Sequence, residues 1–93
     1  MRIDALEIDD QILDKIEGRH GVTFAEVQEA CMAKERHVRR GREGLYKLFS
    51  QTTAGRYLLV VLASYGGGVW KVVTAREITH GERRLYQRAR GER

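Results

Sequence analysis

Apolar positions in the first third of the chain recur at the spacing of amphipathic helices. Ile12, Leu13 and Ile16 share one helical face and follow Asp9 and Asp10, either of which could cap a helix, so the pattern predicts a first helix that ends near residue 19. Thr23–Glu26 is a capping box that predicts the start of a second helix. The predicted buried face of this second helix consists of Phe24, Val27, Ala30 and Cys31.

The middle of the chain has the β-branched and aromatic character of strands, separated by turn residues. The run Tyr57–Ala63 is apolar at both alternating positions, which predicts a central strand with both faces covered. Residues 2–8 are compatible with either a short strand or an irregular lead-in. Thr79 and Glu82 form another capping box and predict a last helix. The other predicted elements are strands at 37–40, 45–51, 56–65 and 69–75, with turns at 52–55 and 66–68.

This order of elements predicts a single α+β domain over residues 1–93. It has two N-terminal helices, an antiparallel meander of three to four strands and a C-terminal helix. The longest apolar run is far shorter than the roughly 20 residues of a membrane span, so we expect no membrane partner. The lone Cys31 cannot form an internal disulfide, which favours a cytoplasmic location.

The net charge of +4 is divided unevenly along the chain. Residues 1–33 carry a charge of −5 and residues 34–93 carry +9, which indicates one side that faces a polyanion. A merely solvated surface is the alternative interpretation. Because the cations of the second part are interspersed with aromatic residues, we favour RNA as the partner. The residues expected to contact RNA are Arg39, Arg40, Tyr46, Arg56, Arg83 and Tyr86.

Alternation along the last strand predicts that Trp70, Val72, Thr74 and Arg76 lie on one face of the sheet. Trp70 could stack on an unpaired base, as could Tyr57, although such residues more often belong to a core. A cation next to a helix N-terminus is unfavourably placed against the helix dipole. We therefore expect Arg76, which precedes the last helix, to bind a phosphate.

The side chains that most often bind metals show no ligand spacing on any one element. These are His20, His37, His80 and Cys31, and neither a metal nor another cofactor is expected. The triple glycine at 66–68 lacks the Lys-Ser/Thr pair and the following helix of a phosphate-binding loop, so it predicts a hairpin turn.

Four short segments occur in the order and spacing of a known family: Arg19–Val22, Arg40–Gly44, Thr74–Ile78 and Glu82–Tyr86. Through these segments the chain resembles the BrnT family of bacterial toxins, relatives of the RelE-type messenger-RNA interferases. The resemblance implies a RelE-like α+β fold and a ribonuclease that is inhibited by a small antitoxin protein.

The same resemblance implies which residues act on RNA. The positions that match functional residues of the family are Arg40, Arg42, Lys47 and Arg76, of which the last three are expected to be catalytic. The chain departs from the family at Glu77, where the family has a lysine.

The expected reaction is a metal-independent cleavage of RNA, in which a 2′-hydroxyl attacks the adjacent phosphate. The cations would stabilise the transition state, and the proton could be transferred by Lys47, Tyr46, Tyr86, Glu43 or His80. Two alternatives remain open at this stage. The same sheet could bind RNA or DNA without cleaving it, or its cationic surface could bind an acidic protein.

Overall fold

The computed structural model describes residues 1–89 and Gly91. Five strands form one sheet, helices α1 and α2 pack on one face of it, and helix α3 crosses part of the other face. Among the described residues, no helix has the length and apolarity needed to cross a membrane. The elements are β1 (Ala5–Glu7), α1 (Asp10–His20), α2 (Phe24–Met32), β2 (His37–Arg40), β3 (Leu45–Gln51), β4 (Tyr57–Gly66), β5 (Val69–Glu77) and α3 (His80–Ala89).

Both N-terminal helices begin at the capping residues that the sequence indicates. The Asp9 carboxylate accepts a hydrogen bond from the backbone N–H of Ile12 at 2.8 Å, and Thr23 and Glu26 make both bonds of a capping box. Gly21 ends α1 in a left-handed conformation, with a φ of 63°, which glycine adopts without strain. The predicted helices are therefore confirmed, and α2 buries Val27, Ala30 and Cys31 as expected.

The sheet contains more strands than the predicted meander, and they are not all antiparallel. Strands β2 to β5 form the expected antiparallel meander, but the order of the whole sheet is β1-β5-β4-β3-β2. Strand β1 adds to the edge as a parallel neighbour of β5. The carbonyl of Gly68 accepts bonds from the N–H groups of Asp4 and Ala5, which holds the lead-in beside β5. The fold is therefore α+β with a five-stranded mixed sheet.

A β-bulge in β5 places the side chains after it on the face of the sheet opposite to the expected one. Leu62 pairs with Val72 and the preceding Val61 pairs with Thr74, so Val73 is an extra residue in β5. Trp70 and Val72 consequently face α1 and α2, whereas Thr74 and Arg76 face the α3 side. The prediction that these four residues share one face was wrong.

Helix α3 is held on the second face by a small apolar cluster. Tyr86 is only 2% exposed and packs with Phe49 and Leu59 of the sheet. Its hydroxyl donates a 2.7 Å hydrogen bond to the backbone carbonyl of Glu35. Because α3 has ten residues, it covers one end of the face, and no other helix in the described part of the chain lies over the rest of β2, β3 and β4 on this side.

The Tyr86 hydroxyl is expected to stabilise this arrangement. Tyr86→Phe removes the hydroxyl alone and leaves the Glu35 carbonyl without that donor, so we expect the free energy of unfolding to fall by about 1 kcal/mol. Urea unfolding measures the change. Tyr65→Phe, at a side chain that is 58% exposed, is the matched control and should leave the stability unchanged. Equal stabilities for the two variants would contradict the proposed docking of α3.

Candidate nucleic-acid interface

A row of side chains crosses the part of the sheet face that α3 leaves uncovered. Arg39 of β2 pairs with Lys47 of β3, Lys47 pairs with Val61 of β4, and Val61 pairs with Thr74 of β5. We call these four residues the open strip. Residues directly opposite each other on antiparallel strands have Cβ atoms about 5 Å apart, so the two cations are neighbours. Both are exposed to solvent.

The turn between β2 and β3 brings Arg42 and Glu43 to one end of the open strip. The N–H of Leu45 donates to the carbonyl of Arg42 at 3.0 Å, and the two central residues, Glu43 and Gly44, have φ angles of 57° and 75°. These angles are those of a type I′ hairpin turn, in which a residue with a side chain is strained unless it is Asn or Asp. Arg42, Glu43 and Lys47 line one recess beside Val61.

The cations at the open strip have no acidic partner in the part of the chain that the structure describes. Five ion pairs occur there, and none involves Arg39, Arg42 or Lys47. These three side chains come from β2, β3 and the turn that joins them. The site can therefore bind an anion without first breaking an internal ion pair.

Arg76, by contrast, is bound to a carboxylate of its own chain. Its two terminal nitrogens donate to the two carboxylate oxygens of Glu82, each at 2.9 Å. Glu82 also accepts a bond from the N–H of Thr79 at 2.8 Å, as part of the predicted capping box. The hydrogen bond from Arg76, followed by the one from Thr79, lowers the pKa of Glu82 to about 2.

This ion pair changes the interpretation of Arg76. The unfavourable position of a cation near the α3 N-terminus is compensated by Glu82 and does not require a phosphate. Arg76 shares a face with the open strip, one row away, since it pairs with Leu59 while Thr74 pairs with Val61. Of the three expected catalytic residues, the structure brings Arg42 and Lys47 together and places Arg76 at the joint between β5 and α3.

Arg56, which the sequence analysis expected to contact RNA, bonds to three elements of its own chain. Its Nε donates to Glu77 at 2.8 Å, and its Nη1 donates to Glu26 at 2.9 Å and to the carbonyl of Gly21 at 2.8 Å. The bond with Glu77 is the main reason that the pKa of Arg56 is raised. The end of α1, the start of α2 and the end of β5 meet at this guanidinium. Glu77, the departure from the family pattern, has a structural partner here.

The remaining expected RNA contacts are spread over several surfaces. Tyr46 lies on the α1–α2 face and packs edge-on against Trp70, with ring centroids 5.2 Å apart, and Tyr86 is buried. Arg83 lies over the ring of Tyr57 at 4.1 Å, on the opposite flank of α3. Of the six residues, only Arg39 belongs to the open strip, and Arg40 lines the adjoining recess.

A groove next to the open strip contains residues that the sequence analysis did not assign. It lies between α3 and the β2–β3 edge and is lined by His37, Arg39, Phe49, Leu85, Tyr86, Arg88 and Ala89. We call it the α3 groove. Two signals in the sequence could have indicated it. His37 alternates with Arg39 along β2, and Leu85 and Arg88 have the spacing of one helical face.

The other groups considered for chemistry are placed away from this interface. Cys31 is buried against the core, and its desolvation raises the pKa of its thiol to about 12. It is therefore a protonated core residue at neutral pH. Among residues 1–89 and Gly91, no three His, Cys, Asp or Glu side chains form a group that could hold a metal ion.

The fold is similar to that of a solved ribonuclease toxin. The crystal structure of BrnT, a ribonuclease toxin from Brucella abortus, matches this chain with a TM-score of 0.69 and 13% sequence identity. The match covers 82% of this chain and 97% of the other. No protein-family model matches the sequence, and no curated protein matches it. The chain therefore has a BrnT-like α+β fold, which confirms the fold that the resemblance implied.

The Arg76–Glu82 ion pair predicts a pH-dependent contribution to stability. The pKa of Glu82 is lowered in the folded state, so its contribution is complete above the unfolded pKa and disappears as the pH falls from about 5 to about 2. Glu82→Gln keeps a hydrogen-bonding side chain and removes the charge. We expect it to lower the free energy of unfolding by about 1–2 kcal/mol at pH 7.

Urea unfolding at a series of pH values measures this difference. The stability gap between the parent protein and Glu82→Gln should narrow steadily below about pH 5. Glu17→Gln, at an exposed carboxylate of α1, is the control and should follow the parent protein throughout. A gap that stays constant down to about pH 2 would show that the charge of Glu82 is not the cause.

Proposed function

We propose that the protein is an endoribonuclease toxin of a toxin–antitoxin system, which binds RNA across the open strip and cleaves it there. The observation that carries this proposal is the convergence of three exposed cations, Arg39, Arg42 and Lys47, within a BrnT-like fold. None of the three has an acidic partner among the described residues. The similar solved structure is that of a ribonuclease toxin. Phosphodiester groups are the anions that a row of such cations would bind along a chain.

In this proposal the two guanidinium groups hold the phosphate and Lys47 stabilises the charge that develops on it. Arginine can donate two parallel hydrogen bonds to phosphate oxygens, which fixes the orientation of the group as well as its position. Lys47 lies between Arg39 on β2 and Val61 on β4, so its ammonium rises from the centre of the strip. Positioned charges of this kind lower the barrier because they are already oriented towards the reacting phosphate.

Glu43 is our candidate for the proton acceptor. Tyr86 is buried, Tyr46 is partly buried on the opposite α1–α2 face, and His80 lies at the start of α3. Of the groups considered from the sequence, Glu43 and Lys47 remain. Glu43 is the acidic residue among those that line the recess with Arg42 and Lys47. Its strained φ supports a functional role, because strain that persists in a structure often marks a working site.

The proposed step needs no group beyond these side chains. The Glu43 carboxylate takes the proton of a ribose 2′-hydroxyl, and the oxygen then forms a bond to the adjacent phosphorus. The bond from phosphorus to the 5′-oxygen breaks, and that oxygen takes a proton from Lys47. The products are a 2′,3′-cyclic phosphate and a 5′-hydroxyl end. We assign Arg76 a positioning role, since its bonds to Glu82 hold the first turn of α3 beside the site.

A second candidate function is RNA binding without cleavage. The observation that favours it is the ion pair of Arg76, because the arginine that the family resemblance marks as catalytic is bound to Glu82. For the toxin, we propose that the inhibitor is an acidic antitoxin protein that covers the open strip, and that the toxin acts in the cytoplasm. The carboxylates of such a partner would neutralise the cations to which we assign RNA binding, namely Arg39, Arg42 and Lys47.

We expect Arg42→Ala and Lys47→Ala each to lower the rate of RNA cleavage by about 100-fold or more, since each removes a charge that stabilises the transition state. The assay follows a labelled RNA in the presence of a chelator, which should not slow the parent protein. Arg19→Ala, an exposed cation on α1, is the matched control and should cleave at the parent rate. Binding of RNA by the parent protein without any cleavage would favour the second candidate function.

Two substitutions at Glu43 separate its chemical role from its role in the turn. Glu43→Asn removes the carboxylate and supplies the Asn-Gly pair that type I′ turns prefer, so it should raise the free energy of unfolding by about 1 kcal/mol. Glu43→Gln removes the charge and keeps the strain. Both should lower the cleavage rate by about 100-fold or more. Cleavage at the parent rate by either variant would end the assignment of Glu43.

A further inference from the structure

The α3 groove has an apolar, partly aromatic floor that is open to solvent. Leu85 is 47% exposed on the helix side, and the ring of His37 stacks on that of Phe49 on the sheet side, with centroids 6.2 Å apart and planes at 28°. Phe49 itself is nearly buried and supports the imidazole from below. Leu85 and the supported His37 ring line the same groove, so a planar group bound there could contact both; we call this part of the groove the slot.

Two cations belong to the lining of the same groove. Arg39 and Arg88 line it and are exposed, and among the described residues neither takes part in an ion pair. Among residues 1–89 and Gly91, those that line the groove include no carboxylate. Arg39 is also the first residue of the open strip, where it pairs with Lys47. The groove and the open strip therefore form one continuous positive surface with a single apolar slot in it.

We infer that the α3 groove holds one unpaired nucleobase of a single-stranded RNA, with the phosphates on either side of that base bound by Arg39 and Arg88. This inference rests on the proposed function and specifies how the substrate is held. Bases that are not paired can leave the strand and stack on aromatic or guanidinium planes, whereas paired bases cannot. The polar edge of His37 adds a hydrogen-bonding group beside the base, and the remaining walls recognise only its shape.

The combination of a flat slot and cations in the same groove favours a nucleotide over an acidic peptide. Carboxylate side chains would satisfy the arginines but would leave the Leu85–His37 slot without a planar occupant. A nucleotide carries both an aromatic ring and a charged phosphate at fixed separation, so it can use both parts of the site. The stacking platforms expected at Trp70 and Tyr57 do not serve this purpose, because Trp70 is in the core and Tyr57 is covered by Arg83.

The direct test compares two fluorescent oligomers by polarisation at one fixed salt concentration. One is a single-stranded 2′-O-methyl RNA, which cannot be cleaved by 2′-hydroxyl attack, and the other is an abasic ribose-phosphate oligomer of the same length. The parent protein should bind the RNA about tenfold or more tightly than the abasic oligomer, since stacking adds to the phosphate contacts. Equal affinities would overturn the inference.

Substitutions in the slot then test whether its residues cause the tighter binding of the RNA. Leu85→Ala and His37→Ala should reduce the affinity for the RNA towards the affinity for the abasic oligomer. Neither substitution should change the affinity for the abasic oligomer. His37→Phe keeps a flat ring and should retain the preference. Arg88→Ala should lower the affinity for both oligomers by a similar factor, because it removes a phosphate contact. Met32→Ala, at an exposed apolar residue of α2, is the control and should change neither.

These binding experiments test the base slot independently of whether the protein cleaves RNA. If Leu85→Ala and His37→Ala keep the full preference for bases, the slot is not the binding site even if ordinary RNA is cleaved at Arg42 and Lys47. If an acidic polypeptide such as polyglutamate binds the parent protein, Arg88→Ala weakens that binding, and neither oligomer binds, the occupant of the groove is a protein and the inference is wrong. A preference for bases that these variants abolish supports the slot, whether or not the parent protein cleaves RNA.

Discussion

The docking of α3 across one end of the sheet decides which side chains of the second face remain exposed. Tyr86 fixes the middle of the helix on Phe49 and Leu59, and the Arg76–Glu82 ion pair fixes its first turn. A helix of ten residues cannot cover a face that five strands provide. The uncovered part therefore stays available, and it is there that Arg39 and Lys47 lie beside each other.

Five of the arginines around these sites divide into two groups according to their partners. Arg56 and Arg76 are held by carboxylates and join elements together, whereas Arg39, Arg42 and Arg88 extend into solvent without such partners among the described residues. The first group contributes to the stability of the folded chain and the second to its capacity to bind an anion. Total charge alone does not distinguish these roles, because it counts every arginine equally.

Local signals in the sequence were sufficient for the helices and for most strands. Capping residues such as Asp9 and Thr23 act within one turn, and they mark the helix starts correctly. The bulge at Val73 could not be predicted, because it depends on the register of β5 against β4, and it moved Thr74 to the other face. The sequence predicted Glu82 as part of the capping box of α3. That the same carboxylate also binds Arg76 depends on the fold, which brings the end of β5 next to the start of α3. Arg42 and Lys47 were expected to act together only through the family resemblance, and the structure brings them together because one tight turn joins β2 and β3.

The account depends most on RNA lying over the open strip of the sheet rather than elsewhere on the positive surface. A titration of ¹⁵N-labelled protein with a single-stranded 2′-O-methyl RNA, followed by amide chemical shifts, locates the contact residue by residue. The account predicts shift changes over β2, the Arg42–Leu45 turn and β3 through Lys47, with α1 unaffected. Chemical-shift changes confined to α1 and α2, or no shift changes at low salt, would contradict RNA binding at the open strip.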